Sequence, residues 1–167
     1  MKTPLRIQVL LFTATRVVLN TMFRMVYPFL AVFARGIGVD LTTISLAMTL
    51  RSFTGVFSPF LAFIGDSRGR KVGMLSGLAV FITGLIVVMI WPTFPAFLAA
   101  LILSMLGKYI YDPSMQAYLG DRVAYQRRGR VLAITELSWS FSFLIGVPVM
   151  GFLIARYGWR APFPVLS

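Results

Sequence analysis

The sequence contains no cysteine and no histidine, and only five acidic residues accompany its 16 lysines and arginines. Without cysteine, this chain forms no disulfide and offers no thiolate. Without histidine, it lacks the commonest metal ligand and the usual proton carrier near neutral pH. A nucleophile, base or metal set for a membrane enzyme is therefore hard to assemble. We expect no metal site, no cofactor and no enzymatic activity.

Charge is scarce as well, while apolar residues are abundant. Hydrophobic residues make up 58% of the chain and charged residues 13%, and the mean hydropathy is +0.84. Soluble domains carry about 25% charged residues, so the composition indicates an integral membrane protein whose main partner is the lipid bilayer. The net charge of +11 does not predict nucleic-acid binding, because the cations lie in short loops or inside apolar segments.

Five apolar segments are each long enough to cross a bilayer, since about 20 helical residues cover the ~30 Å hydrocarbon core. They predict an all-α integral membrane bundle of five transmembrane helices and the start of a sixth near Arg160. The predicted spans are about 8–33, 41–64, 72–91, 94–119 and 131–156.

The cations are unequally divided between the two ends of these spans. Nine lie on the side of the N-terminus, namely Lys2, Arg6, Arg68, Arg70, Lys71, Arg122, Arg127, Arg128 and Arg130. Three lie on the other side, namely Arg35, Arg156 and Arg160. Short cytoplasmic loops collect Lys and Arg, so we predict that the N-terminus is cytoplasmic. We expect the protein to reside in the plasma (inner) membrane.

The loop between the second and third spans reads Gly65-Asp66-Ser67-Arg68-Gly69-Arg70-Lys71. It resembles the loop between helices 2 and 3 of the major facilitator superfamily of secondary transporters, whose pattern is Gly-x-Leu-Ala-Asp-Arg-x-Gly-Arg-Arg/Lys. The matching residues are Asp66, Gly69, Arg70 and Lys71, whereas Ser67 replaces the first Arg of the pattern. The resemblance implies a cytoplasmic gate loop of Asp66, Arg68, Gly69, Arg70 and Lys71. In it Asp66 and Arg70 would latch two halves of a transporter together, and Ser67 would weaken the latch.

The resemblance continues through residues 113–121 with 128–130, 146–151 and 158–163. Members of the superfamily have two six-helix halves, so residues 1–167 are expected to form an incomplete N-terminal half of a major facilitator-type bundle. The C-terminal six-helix half is missing and becomes an expected partner. The resemblance also implies that helices 1 and 4 line a central cavity and that transport occurs by alternating access.

Ionisable residues inside a span cost roughly 2.5–3.5 kcal/mol on insertion scales, so they usually face a partner or a wet cavity. On the first span four polar residues share one face, and on the fourth three do so at the same spacing. Together with Arg51 and Tyr111 they form the predicted substrate cavity: Arg16, Asn20, Arg24, Tyr27, Arg51, Lys108, Tyr111, Asp112 and Gln116.

Counting residues from the cytoplasmic ends sorts the charges by depth. Arg16, Asp112 and Glu136 lie at roughly 9–12 Å and can neutralise one another. Arg24, Arg51 and Lys108 lie at roughly 16–24 Å and form a layer of cations without an acid. We expect this layer to bind a substrate with negative or polar oxygen groups, with Tyr27 and Tyr109 or Tyr111 in contact. The alternative is that all six charges only hold the bundle together.

The interpretation is a secondary transporter that exports a polar or anionic organic small molecule, coupled to protons. Its candidate proton carriers are Asp112 and Glu136, the two acids inside spans. Uptake by a permease of the same superfamily stays open, as does a non-transporting membrane scaffold or decayed fragment.

Overall fold

The computed structural model describes residues 3–167, without the side chains of residues 3, 4 and 62–66. Within this range the chain forms helices and turns and no strand, which confirms the all-α membrane fold. The helices are α1 Thr3–Met25, α2 Leu30–Ile37, α3 Leu41–Phe53, α4 Ser58–Ser67, α5 Arg70–Ile90, α6 Phe94–Arg122, α7 Tyr125–Phe141, α8 Val147–Tyr157 and α9 Pro162–Leu166.

Several of these helices join into longer rods. A 3₁₀ turn, Thr54–Phe57, connects α3 to α4, and a π-helical turn, Ser142–Gly146, connects α7 to α8. By length and composition, four rods of the described chain can cross a membrane: Leu41–Leu61, Arg70–Ile90, Phe94–Arg122 and Tyr125–Tyr157. A fifth span exists if α1 and α2 are counted as one. The predicted sixth helix begins as the short α9.

The first span differs from the prediction of one helix over 8–33. It consists of α1 and α2, which meet at an angle of 73° across residues 26–29. Pro28 has no backbone N–H and disfavours helical backbone at the residue before it. The N–H of Tyr27 accordingly bonds to the carbonyl of Arg24, three residues back (3.3 Å), instead of continuing the α-helical pattern.

The tightest helix pair is α5 against α6, where two glycines face each other. A Cβ built on Gly77 would lie 2.7 Å from the carbonyl oxygen of Gly107. A Cβ built on Gly107 would lie 2.5 Å from the carbonyl oxygen of Gly77. The two backbones are therefore in direct contact, as small residues allow in membrane helix pairs.

An aromatic cluster lies at the end of the bundle opposite the N-terminus. Phe33 of α2 packs against Phe97 of α6 with ring centroids 5.3 Å apart, and Trp159 and Phe163 complete the cluster. It ties α2 and α9 to α6. Large side chains such as Phe60 and Leu75 are exposed on the outer faces, as expected of surfaces that contact lipid.

Candidate functional site

Four charged side chains from three helices form one network in the interior. Arg16 on α1 donates from Nη1 to Glu136 Oε1 on α7 (2.6 Å) and from Nε to Asp112 Oδ1 on α6 (3.2 Å). Lys108 donates from Nζ to the other oxygen of Asp112, at 2.5 Å. Asp112 is therefore shared between two cations, and the four charges cancel.

Two neutral residues extend these contacts. Lys108 Nζ also donates to Asn20 Oδ1 (2.7 Å), and Asn20 Nδ2 donates to Ser138 Oγ (3.0 Å). Asn20 follows Arg16 by four residues and Asp112 follows Lys108 by four, which places each pair on one helix face. We call this set the polar network: Arg16, Asn20, Lys108, Asp112, Glu136 and Ser138.

The network is enclosed on its cationic side and open on its acidic side. Arg16 and Lys108 are buried, at 2% and 6% exposure. The side chain of Asp112 is 17% exposed and that of Glu136 is 46% exposed. Glu136 is therefore the carboxylate that meets solvent most readily, while the cations hold fixed positions behind it.

The prediction that Lys108 lacks an acidic partner is wrong. That prediction compared the depths of backbone positions, in which Lys108 and Asp112 fall into different layers. A lysine stem is long enough to reach the next turn of its own helix, so its ammonium group joins the inner charges. Of the cations predicted to lie within spans, Arg24 and Arg51 are those without an acidic partner in the described part of the chain.

Arg51, on α3, points into the end of α1. It is 2% exposed and donates to the carbonyl of Phe23 (3.2 Å) and to the hydroxyl of Tyr27 (3.0 Å). Its guanidinium carbon lies 4.7 Å from the centroid of the Phe23 ring, a cation–π distance. Arg51 therefore stabilises the break between α1 and α2, where helical bonding is interrupted.

Arg24 packs against two aromatic rings, those of Trp139 and Phe143. Its guanidinium carbon is 4.5 Å from the Trp139 ring centroid and 5.6 Å from that of Phe143. Its Nε is buried and has no hydrogen-bond partner among the described residues. A buried, unsatisfied donor of a charged group carries a desolvation cost that an acceptor on a ligand would relieve.

Trp139 is the residue that sequence reasoning missed. Its ring also lies 5.2 Å from Lys108 Nζ, so one indole separates Arg24 from the polar network. The available signal was its spacing: Trp139 follows Glu136 by three residues and shares its helix face. Inside an apolar span, however, an aromatic residue looks the same whether it faces lipid or a cation.

A cavity of about 670 Å³ opens beside Arg24, at the break in the first span. Its walls come from the break and from the π-turn region of α7 and α8. They are Arg24, Tyr27, Pro28, Phe29, Phe143, Leu144, Val147 and Pro148. The cavity combines mostly apolar walls with one cation.

The remaining predicted residues fall in different places. Tyr27 is 55% exposed and lines this cavity, and Gln116 is exposed on α6. Tyr111 is only 2% exposed, and its backbone N and Cβ pack against Gly77 of α5. The backbone of Tyr111 therefore lies at the contact between α5 and α6, and its place in a substrate cavity stays a prediction.

The predicted gate loop is partly described. Its cations and Gly69 line a shallow cavity of about 390 Å³ that also contains Asp121, from the end of α6. Arg70 Nε lies 3.4 Å from Asp121 Oδ2, an exposed ion pair within this bundle. Asp66 lies outside the residues whose side chains are described, so its half of the expected latch stays a prediction.

Comparison with known proteins gives a consistent family assignment. A family model for the Major Facilitator Superfamily matches residues 12–167. The chain is 30% identical over 139 residues to the uncharacterized MFS-type transporter YwfA of Bacillus subtilis (strain 168), covering 81% of the chain and 33% of the relative. It is 28% identical over 155 residues to the multidrug resistance protein MdtG of Serratia proteamaculans (strain 568), covering 87% of the chain and 36% of the relative.

The chain thus spans about a third of the length of these curated relatives. The matched region begins within α1 and includes all six members of the polar network as well as Arg24, Arg51 and Trp139. The fold, the membrane-spanning helices and the family model agree: the chain belongs to the major facilitator superfamily.

Proposed function

We propose that this bundle is the N-terminal half of a secondary transporter that exports a polar or anionic organic solute in exchange for protons. The observation that supports this proposal most directly is the cavity beside Arg24. There a guanidinium with an unsatisfied Nε lies among apolar and aromatic walls. Such a cavity suits a solute with an apolar body and one negative or strongly polar oxygen group. The multidrug resistance name of the relative MdtG supports export.

In this proposal a second six-helix half completes the cavity, and the two halves rock about it to alternate access. The N-terminus and the gate loop lie in the cytoplasm, at the plasma (inner) membrane, because short basic loops stay inside. Asp66 and Arg70 latch the second half, with Asp121 holding the Arg70 guanidinium in place at 3.4 Å.

Proton coupling rests on the carboxylates of the polar network. Glu136 binds one cation, Arg16, and is half exposed, whereas Asp112 binds both Arg16 and Lys108 and is mostly enclosed. A proton from solvent reaches Glu136 first, and the neutral Glu136 no longer forms an ion pair with Arg16. Asp112 is then the one carboxylate that still pairs with Arg16. Because these pairs join α1 to α6 and α7, protonation of Glu136 would change how the three helices pack.

We predict that Arg24→Ala weakens transport of an anionic dye at least about 10-fold in kcat/KM, because a hydrogen bond to a charged group contributes about 1.5–3 kcal/mol. The assay uses proteoliposomes with the complete transporter and two fluorescent probes, the monocarboxylate 1-pyrenebutyrate and its neutral methyl ester. The ester should lose much less than the acid. Arg156→Ala, at the exposed end of α8, is the matched control. Equal losses for both probes, or no loss for the acid, contradict an anion site at Arg24.

A second prediction concerns the carboxylates. In an Arg16→Met/Lys108→Met background, which removes both cations that the carboxylate substitutions would leave without an acidic partner, we add Asp112→Asn and Glu136→Gln. Dye movement driven by an imposed pH gradient should be abolished, while exchange of labelled for unlabelled dye continues, because exchange needs no net proton transfer. Arg16→Met/Lys108→Met alone and Asp40→Asn, an acid outside the spans, are the controls. Continued pH-driven movement by the carboxylate variant would exclude both groups as carriers.

A further inference from the structure

A second cavity, of about 480 Å³, lies at the end of the bundle that holds the N-terminus, between α1 and α7. Three of its lining residues are arginines: Arg6 from the start of α1, and Arg127 and Arg130 from the start of α7. Its other lining residues, Val131 and Ile134, are apolar. This basic cavity is separate from the cavity beside Arg24, which lies at the opposite end of α1.

The three arginines have positive charge that nothing in the described protein neutralises. No hydrogen bond or ion pair joins their guanidinium groups to any described residue, and all three are exposed. The first turn of α7 contains no acidic residue, so the positive end of that helix dipole adds to the same potential. The guanidinium group of an arginine has the planar set of donors that binds phosphate bidentately, and three arginines line this one cavity.

The other basic cavity, around the gate loop, is different. It includes the carboxylate of Asp121, which pairs with Arg70 at 3.4 Å. An incoming anion there would meet a negative charge and compete with an existing pair. The cavity of Arg6, Arg127 and Arg130 has no acid among its lining residues, so it is the better anion site of the two.

The surface beyond the arginines is apolar and exposed. On α7, Ile134 is followed by Leu137 and Phe141 at helical spacing, with exposures of 49% and 43% for the latter two. On α1, Leu10 lies one turn after Arg6 and is 65% exposed. A ligand whose negatively charged group occupies the basic cavity can therefore place an apolar chain along this exposed surface. We call the surface of Ile134, Leu137 and Phe141 the apolar track.

We propose that Arg6, Arg127 and Arg130 bind the phosphate of an anionic phospholipid, with an acyl chain along Ile134, Leu137 and Phe141. Basic cavities at the cytoplasmic ends of membrane helices bind anionic headgroups. The apolar track favours a lipid over a free phosphate ion, since inorganic phosphate has no part that would occupy the track. The site would anchor the contact between α1 and α7, two of the helices that hold the polar network.

The test measures phosphatidylglycerol bound to the purified protein by native mass spectrometry, after extraction from bilayers of phosphatidylcholine with phosphatidylglycerol. The triple variant Arg6→Gln/Arg127→Gln/Arg130→Gln should bind phosphatidylglycerol about 100-fold more weakly, because each cation near an anionic surface contributes about a factor of five. Arg127→Gln alone should show an intermediate loss. Arg35→Gln/Arg156→Gln/Arg160→Gln removes the same charge from the opposite end and should bind as the unmodified protein does.

Three results would overturn the proposal. They are unchanged phosphatidylglycerol binding in the first triple variant, an equal loss in the second, and displacement of the lipid by an equal concentration of inorganic phosphate. The last result would indicate a site for free phosphate. Thermal unfolding in phosphatidylcholine alone verifies that the variants fold, and we expect no change there because the three side chains are exposed. The outcome is independent of transport, so it leaves the proposed export activity to its own assays.

Discussion

Asp112→Asn is expected to lower the free energy of unfolding by about 3–5 kcal/mol, because it removes one partner from buried ion pairs. Arg16 would keep Glu136, but Lys108 would keep only the amide oxygen of Asn20 and the ring of Trp139. An ammonium at 6% exposure without a carboxylate is the costly product of this substitution. Denaturant-induced unfolding of the purified protein in detergent measures the loss.

The double variant Lys108→Met/Asp112→Met distinguishes the effect of an unpaired charge on stability from the effect of lost packing. It leaves Arg16 with Glu136, a neutral pair, and replaces the second pair by apolar side chains, a change that is often close to neutral. We expect it to be more stable than Asp112→Asn alone. Asp121→Asn is the matched control, because the Arg70–Asp121 pair is exposed and exposed pairs contribute about 0–1 kcal/mol. Equal losses for Asp112→Asn and Asp121→Asn would refute the role given to the network.

Gly107→Val is expected to destabilise the protein by about 3 kcal/mol, the upper part of the usual range for overpacking. The added Cβ would lie 2.5 Å from the carbonyl oxygen of Gly77 and 2.8 Å from the backbone N of Phe81. Both are backbone atoms, so no side-chain rotation relieves the clash, and α5 and α6 must separate. The measurement is again the denaturant midpoint in detergent.

Gly120→Val makes the same substitution near the end of α6, where a new Cβ meets nothing within 4 Å. We expect a change within about 0.5 kcal/mol there, as for surface substitutions generally. If the two valine variants unfold alike, the close approach of α5 and α6 is not what limits stability.

Helical spacing and depth were enough to predict that three charges of the polar network pair with one another. They brought Arg16, Asp112 and Glu136 to one level, and the structure pairs them at 2.6 and 3.2 Å. Backbone depth failed for Lys108, because a long flexible side chain can place its charge a full turn from its Cα. Sequence reasoning of this kind locates backbones better than it locates charges.

Two other features were not predicted from the sequence, the break after α1 and the position of Trp139, and the reasons differ. The break after α1 was missed because a proline such as Pro28 is tolerated in many membrane helices, where neighbouring groups satisfy the freed carbonyls. Here the neighbouring group is Arg51, 28 residues along the chain from Phe23. No local pattern predicts so distant a partner. Trp139 was missed because apolar surroundings give an aromatic residue no distinguishing signal.

The bend of 73° between α1 and α2 also sets how deep in the bilayer Arg24 lies. By length, the 23 residues of α1 already cover about 35 Å, slightly more than the hydrocarbon thickness of ~30 Å. Arg24, in the last turn of α1, is thereby placed near the hydrocarbon boundary farther from the N-terminus and not at the midplane. A charged side chain costs less near that boundary than at the midplane, so a cation without a carboxylate partner is tolerated there.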